Sequence, residues 1–237
     1  QWNKHMTTGL GGMLATNDSE LAARIRDLRE REMQTPSGKL AGVLSAQRLT
    51  HTVGVYPRTT ALITAVFRWL SKRGAIIGSN APDDLDARMA SDFFMGMSAG
   101  QARTGLRKIR HLDDNIAHRR QMRTLYHDLL QNAGWPMPKL GDHLEPVPVR
   151  VPLRVADKER ALREGAQKLL EIGPWFESPL HPAETPLERY NYRPGQCPEA
   201  ERAARETVNL PVHPRADRGT AERTVQFLKT IGPPLNN

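Results

Sequence analysis

Asn3-Lys4-His5-Met6-Thr7-Thr8-Gly9-Leu10-Gly11-Gly12-Met13-Leu14-Ala15-Thr16-Asn17-Asp18 is the stretch on which the fold turns. Gly9, Gly11 and Gly12 permit a tight turn after Lys4, because glycine adopts backbone angles that a Cβ forbids. Met13-Leu14-Ala15 then reads as a short buried strand. Asn17, with Glu20 three residues on, is a helix-start signal. Leu21, Ile25 and Leu28 recur at i, i+4, i+7, one apolar stripe of an amphipathic helix. Arg24, Arg26, Arg29 and Arg31 sit mostly off that stripe and face water.

Outward from this opening, the segment Gln34 to Gly54 is polar and punctuated by Pro36, Gly38 and Gly42, which predicts a loop or irregular region. Thr59 to Leu70 is rich in apolar residues and predicts a core helix. Arg68 interrupts it and it is too short for a membrane span; the competing reading is a helix lying on a membrane or a partner. Gly74, Gly78 and Pro82 mark the next loop. Ser98 opens a long helical region, with Gln101 placed for a capping box. The apolar phase shifts near His118-Arg119-Arg120, which predicts two helices or one bent one. Gly134 and Pro136 end the region.

From Val147 to Val155 apolar residues alternate strictly with Pro148, Arg150, Pro152 and Arg154, a strand with one buried face. Its prolines lack ladder donors and place it at a sheet edge. A helix over Asp157 to Ile172 stops at Gly173 and Pro174. A shorter helix near Pro198 to Glu206, a strand over Val208 to Val212 and a final helix from about Thr220 to Ile231 complete the pattern. Alternating strand and helix signals predict a small α/β or α+β domain.

Composition bounds the chemistry. The chain has 237 residues, enough for one large or two small domains. Only 5% are aromatic, so the core rests on Leu, Ile, Val and Ala. One cysteine, Cys197, excludes an internal disulfide, and no Cys/His cluster has zinc spacing. This fits a reducing compartment, and a cytoplasmic location is expected. The chain opens on Gln1 rather than Met and shows no signal segment; we expect residues to precede it in the natural protein. A net charge of +8 suits anionic partners: nucleic acid, a membrane surface or phosphorylated small molecules. No block of five or six like charges appears, as a nucleic-acid-binding tail would show, nor any nucleic-acid motif.

Lys4 is the foremost chemical candidate. A lysine that forms a Schiff base must shed its proton, which burial and nearby positive charge promote. A glycine-rich turn beside it lets backbone and cofactor approach closely. The segment from Asn3 to Asp18 resembles the Schiff-base segment of the DegT/DnrJ/EryC1/StrS family, whose pattern reads NKxxTTGEGGMxxTND. Leu21 to Arg29 is similar to the helix that follows in that family. Met97 to Leu130 is similar to its MSxxQAAxGLxQLxxLDxxIxxRR stretch. Pro198-Glu199-Ala200-Glu201 and Leu210-Pro211-Val212-His213-Pro214 resemble its closing pattern. The part from about Gln34 to Asp92 matches weakly.

The resemblance implies an α/β fold, the C-terminal portion of a type I pyridoxal-phosphate (PLP) aminotransferase. Residues 1–110 would be the end of the large PLP-binding domain, with an atypical insert at about 34–92. Residues 111–237 would be the small α+β domain. It further implies PLP on Lys4, a homodimer, an amino acid donor (glutamate in most members) and a keto-sugar acceptor carried on a nucleotide. Lys4 would also shuttle the proton between substrate and cofactor carbons. His5, Thr7, Thr8 and Gly9 join Lys4 as cofactor-binding candidates. For His5 the readings are the cofactor or solvent; for the threonines, the cofactor phosphate or the turn itself. His181, in Trp175 to Pro182, resembles a family loop near the substrate, against an ordinary loop histidine. Tyr192 and Tyr190 would stack on a base or simply pack. Cys197 lacks an evident base and reads as a structural thiol. No metal site, nucleic-acid partner or membrane span is expected.

Two positions depart from the family. Leu10 stands where the motif has Glu, and Phe93-Phe94-Met95-Gly96 replaces an Asn/Arg-containing run before the MS pair. They favour a non-catalytic relative as the first rival; a basic nucleic-acid-binding protein is the second.

Overall fold

Asp18, one residue beyond the predicted start, caps the first helix, its carboxylate accepting the Glu20 and Leu21 amides at 2.9 and 3.0 Å. The computed structural model describes residues 4–56, 58–73, 89, 93–138, 141, 143–180 and 186–235. In chain order the elements are α1 (Ser19–Glu32), α2 (Gly38–Gly54), α3 (Thr60–Lys72), α4 (Ala99–Ile109), α5 (Leu112–Asn132), β1 (Arg150–Arg154), α6 (Lys158–Gln167), α7 (Pro198–Glu206), β2 (Thr207–Pro211) and α8 (Arg218–Leu228). They separate into two units. The N-terminal unit holds residues 1–54 and 66–112, the C-terminal unit residues 55–65 and 113–237.

In the N-terminal unit two expectations are corrected. Met13-Leu14-Ala15 is neither a strand nor buried: the run has irregular backbone, with Met13 70% and Leu14 64% exposed. A strand needs a hydrogen-bonded neighbour, and among the described residues none lies beside it. The predicted loop Gln34 to Gly54 is mostly helix α2. Ser37 starts it by accepting the Leu40 amide at 3.2 Å. Pro36 and Gly38 thus mark an entry rather than a break, and Gly42 costs only about 1 kcal/mol inside a helix of 17 residues. Ser98 and Gln101 form the predicted capping box. The loop at Gly74, Gly78 and Pro82 lies outside the described residues.

The C-terminal unit contains a continuous apolar core. β1 and β2 pair antiparallel, Val151 opposite Leu210 and Leu153 opposite Val208. The Val155 amide donates to the Glu206 carbonyl at 2.9 Å, so residues 151, 153 and 155 direct their ladder groups at β2. Pro152 therefore sits where its missing N–H faces away from the partner strand. Val151, Leu153 and Val155 bury against Val208, Leu210 and Val212, and Tyr126 and Leu130 of α5 and Val225 and Leu228 of α8 complete the core. Each such side chain contributes about 1.5–3 kcal/mol by leaving water.

Three helices differ from the sequence reading. The break expected near His118 lies at Arg110-His111. The apparent phase shift has another cause: Arg119 is 3% exposed and points inward. Its guanidinium donates to Asn115 Oδ1 at 2.7 Å and to the Pro148 and Val149 carbonyls at 3.1 and 3.0 Å. Burial, then the neighbouring Arg150 charge, lowers its pKa to about 10. α6 ends at Gln167 rather than Ile172, because Leu169 turns left-handed with φ 55° and the Leu170 amide returns to the Gly165 carbonyl. The chain then runs beside β2, Gly173 and Asn209 exchanging amide hydrogen bonds at 2.8 Å. α8 starts at Arg218, where Asp217 accepts the Thr220 amide at 2.7 Å.

A buried polar group sits within this unit. Glu171 is 6% exposed. Its carboxylate accepts from Arg150 at 3.1 Å and pairs with His213 Nε2 at 2.8 Å, and the Thr60 hydroxyl lies 3.4 Å away. Burial pushes its pKa up, but His213 and Arg150 outweigh burial and hold it below the usual carboxylate value. Lys158 is likewise buried, donating to the Phe176 carbonyl at 2.9 Å and to Ala204 in the last turn of α7 at 2.6 Å.

Candidate active site

The turn after Lys4 folds on its own hydroxyls. Gly9 has φ 100° and Gly11 φ 112°, left-handed values that favour glycine. Thr7 Oγ1 accepts the Gly9 amide at 3.0 Å, and Thr8 Oγ1 donates to the Leu10 carbonyl at 3.4 Å. Thr7, Thr8 and Gly9 are buried, whereas Lys4 is exposed and His5 half-buried.

The start of α4 holds this turn. Gln101 Oε1 accepts the Ser98 amide at 3.0 Å, and Gln101 Nε2 donates to the Leu10 carbonyl at 3.1 Å. One side chain thus closes the capping box and ties down the turn 91 residues earlier in sequence. A Cβ on Gly105 would stand 3.3 Å from the Thr8 methyl, and one on Gly11 would stand 3.3 Å from Met97 Cε. The residues Met97, Ser98, Gln101 and Gly105 therefore form the bed on which the TTGLGG turn lies. From local spacing Gln101 reads as a cap of α4 alone. Its distance from the turn along the chain hid the second contact.

The departures take defined places. Leu10 contributes its carbonyl to Gln101 through the backbone. Phe94 likewise acts through its carbonyl, accepting the Gln34 amide at 2.8 Å, while Gly96 donates to the Gln34 carbonyl at 2.8 Å. The Phe94 ring packs edge-to-face on Phe93, centroids 5.4 Å apart.

A match between the chain and a family model, over residues 1–68 and 77–229, carries the description DegT/DnrJ/EryC1/StrS aminotransferase family. The chain belongs to that family. The match runs through most of residues 34–92 and leaves out 69–76. Among solved structures, a DegT DnrJ EryC1 StrS aminotransferase from Brucella abortus shares 17% identity at TM-score 0.50, over 65% of this chain and 39% of its own. DesV of S. venezuelae, solved in complex with a ketimine intermediate, shares 19% at TM-score 0.46, over 68% of this chain and 43% of its own. The first likeness shows the fold, a mixed helix-and-sheet aminotransferase architecture. The chain spans about two-fifths of the length of these structures. No curated protein matches.

Lys4, His5, Thr7, Thr8 and Gly9 are one continuous stretch of the N-terminal unit. Tyr192 belongs to the C-terminal unit and is 8% exposed. Its hydroxyl donates to Glu201 Oε1 at 2.8 Å, and the same oxygen accepts the Gly195 amide at 2.6 Å. Burial, then the Glu201 carboxylate, pushes the phenol up to about 12. Tyr190 is 45% exposed. His181 lies outside the described residues. Cys197 is exposed and immediately precedes α7. Among the described residues no three His, Cys, Asp or Glu side chains group as a metal site, and no helix is long and apolar enough to cross a membrane.

Proposed function

We propose that this chain carries the lysine-bearing turn of a PLP-dependent sugar aminotransferase, with Lys4 as the residue that binds the cofactor. The observation that carries this reading is an accessible primary amine followed at once by a hydroxyl-rich turn held by α4. That donor set fits the aldehyde end of PLP. An exposed amine is reachable by an aldehyde, and small residues let the ring come close. Bound PLP supplies an aldehyde that condenses with amines and a ring that draws electrons from the attached carbon.

Lys4 Nζ acts as a nucleophile only as the free base, so the assembled protein must remove its proton. Released from the cofactor, the same nitrogen takes up and returns a proton during transfer. Thr7 and Thr8 are bonded within the turn, which suits a role in fixing the backbone beneath the cofactor, with Gly9 leaving room. His5 sits next to the amine and joins this group. His181 and Tyr192 belong to the substrate side of the proposal. The donor is an amino acid such as glutamate, and the acceptor a keto-sugar carried on a nucleotide, which suits the net charge of +8. Function as a homodimer in the cytoplasm is part of the same reading.

The test is reductive tagging. The full-length protein is incubated with PLP, reduced with borohydride and digested, and the phosphopyridoxyl adduct is mapped by mass. It is expected on Lys4 and absent from Lys4→Ala. An adduct only on other lysines would overturn the assignment. A second reading, a non-catalytic relative, draws on Leu10 in place of an acid. It predicts a tagged Lys4 with no release of keto acid from any amino donor.

A further inference from the structure

Between Glu32 and Asp83 the chain has no acidic residue, while Lys39, Arg48, Arg58, Arg68, Lys72 and Arg73 carry six positive charges, six of the net eight. α3 lies in this stretch. On it Leu62, Val66 and Trp69 recur at i, i+4, i+7 and are 66%, 47% and 55% exposed. Ile63, Phe67 and Leu70, on the adjoining face, are half-buried. Arg73 continues the exposed row, its guanidinium 3.7 Å from the Trp69 ring centroid. The first turn of α3 is anchored within the C-terminal unit. Arg215 donates to the Val55 carbonyl and lies 4.6 Å from the Tyr56 ring centroid, and Thr60 reaches Glu171. Trp69 and Arg73 fall within residues 69–76, which the family match omits.

We propose that α3 docks on an anionic lipid surface. Its 13 residues span about 20 Å, too little to cross a hydrocarbon core of about 30 Å, so the helix lies along the interface. An apolar row with an indole at one end, Arg73 beside it and no acidic residue in the segment is what such a surface takes: the row enters the acyl boundary, and Arg73 meets the head groups. Nucleic acid would satisfy the charge and leave Leu62, Val66 and Trp69 in water. This inference does not rest on the aminotransferase reading, since the chemistry of Lys4 uses none of these residues.

The experiment is co-flotation of the full-length protein with vesicles of 30% phosphatidylglycerol in phosphatidylcholine, and with phosphatidylcholine alone. Binding is expected to the anionic vesicles, at least tenfold weaker to the neutral ones, and weaker at 0.5 M than at 0.1 M salt. Leu62→Glu with Trp69→Ala should abolish it. Arg73→Gln, a surface change that leaves folding intact, should weaken it about fivefold, the value of about 1 kcal/mol per cation near the surface. Lys4 tagging should be unaltered in every variant. No binding to anionic vesicles, or binding indifferent to these substitutions, overturns the proposal. So does a shift in oligomeric state on Leu62→Glu without vesicle binding, which would assign the row to a second copy. Binding to a 20-mer oligonucleotide with no vesicle binding also overturns it.

Discussion

The two units differ in what they bury. In the C-terminal unit most of the buried apolar side chains form one cluster, from Met122 to Ile231, with Arg119, Lys158 and Glu171 buried in the same unit on hydrogen-bond partners. In the N-terminal unit Leu44 is the one buried large apolar side chain among the described residues. The other buried side chains there are polar: Thr7, Thr8, Gln47, Ser98 and Gln101. The C-terminal unit has an apolar cluster as well as buried hydrogen bonds; the described part of the N-terminal unit has directional hydrogen bonds around a turn and one buried large apolar side chain. Apolar burial is set by the area removed from water, whereas a hydrogen-bonded turn also depends on the distance and angle at which its groups meet. The candidate amine precedes such a turn.

The largest effect that tests this contrast is in the core. Leu210→Ala should cost about 3 kcal/mol in denaturant unfolding, since Leu210 is fully buried between β1 and the helices. A loss under about 1 kcal/mol would show that the core relaxes freely and would break the contrast.

Glu171→Gln comes next, at about 2 kcal/mol near neutral pH, because it removes the charge that Arg150 and His213 face. The sign follows from the depressed pKa. The carboxylate stabilises the fold above its unfolded value of 4.5, and this contribution is lost as pH falls through the lower folded value. Stability measured from pH 7 downward should therefore drop below pH 4.5 in the parent and more shallowly in Glu171→Gln. Parallel curves would refute the pairing.

Ser98→Ala should cost about 1 kcal/mol by removing the cap of α4. Faster amide exchange should follow in α4 and in residues 7–10, whose bed it frees. Exchange confined to α4 would show that Gln101 holds the turn without the cap. The smallest effect belongs to Leu28→Ala on α1, within about 0.5 kcal/mol because Leu28 is 50% exposed. A cost of 2 kcal/mol or more in the full-length protein would mean that a partner surface covers α1, and the contrast would apply to this chain alone.

Legibility in the sequence followed the reach of each interaction along the chain rather than the division into units. Features written in local spacing could be read: the Ser98 and Gln101 cap, the Val151, Leu153 and Val155 alternation, and the Pro198 to Glu206 helix all depend on neighbours a few residues apart. Features set by distant partners could not. Arg119 broke the apolar phase of α5 because its receivers, Pro148 and Val149, are about thirty residues away. Met13 and Leu14 have strand composition, but a strand also needs a neighbour that local spacing does not specify. α2 was hidden by residues that serve equally as breaks and as helix entries. In the candidate site the turn could be read from its glycines. Its support by Gln101 came from 91 residues away.

Pro152 has a consequence for the behaviour of the protein at high concentration. A two-stranded ribbon offers two flanks to which a strand from another molecule can add. Along β1 the flank is interrupted at its midpoint by a residue with no hydrogen to give. Along β2, Gly173 already occupies Asn209, and Pro211 repeats the interruption at the strand end. The ribbon is thus a poor template for intermolecular sheet growth, and Pro152→Val would supply the donor that such growth requires.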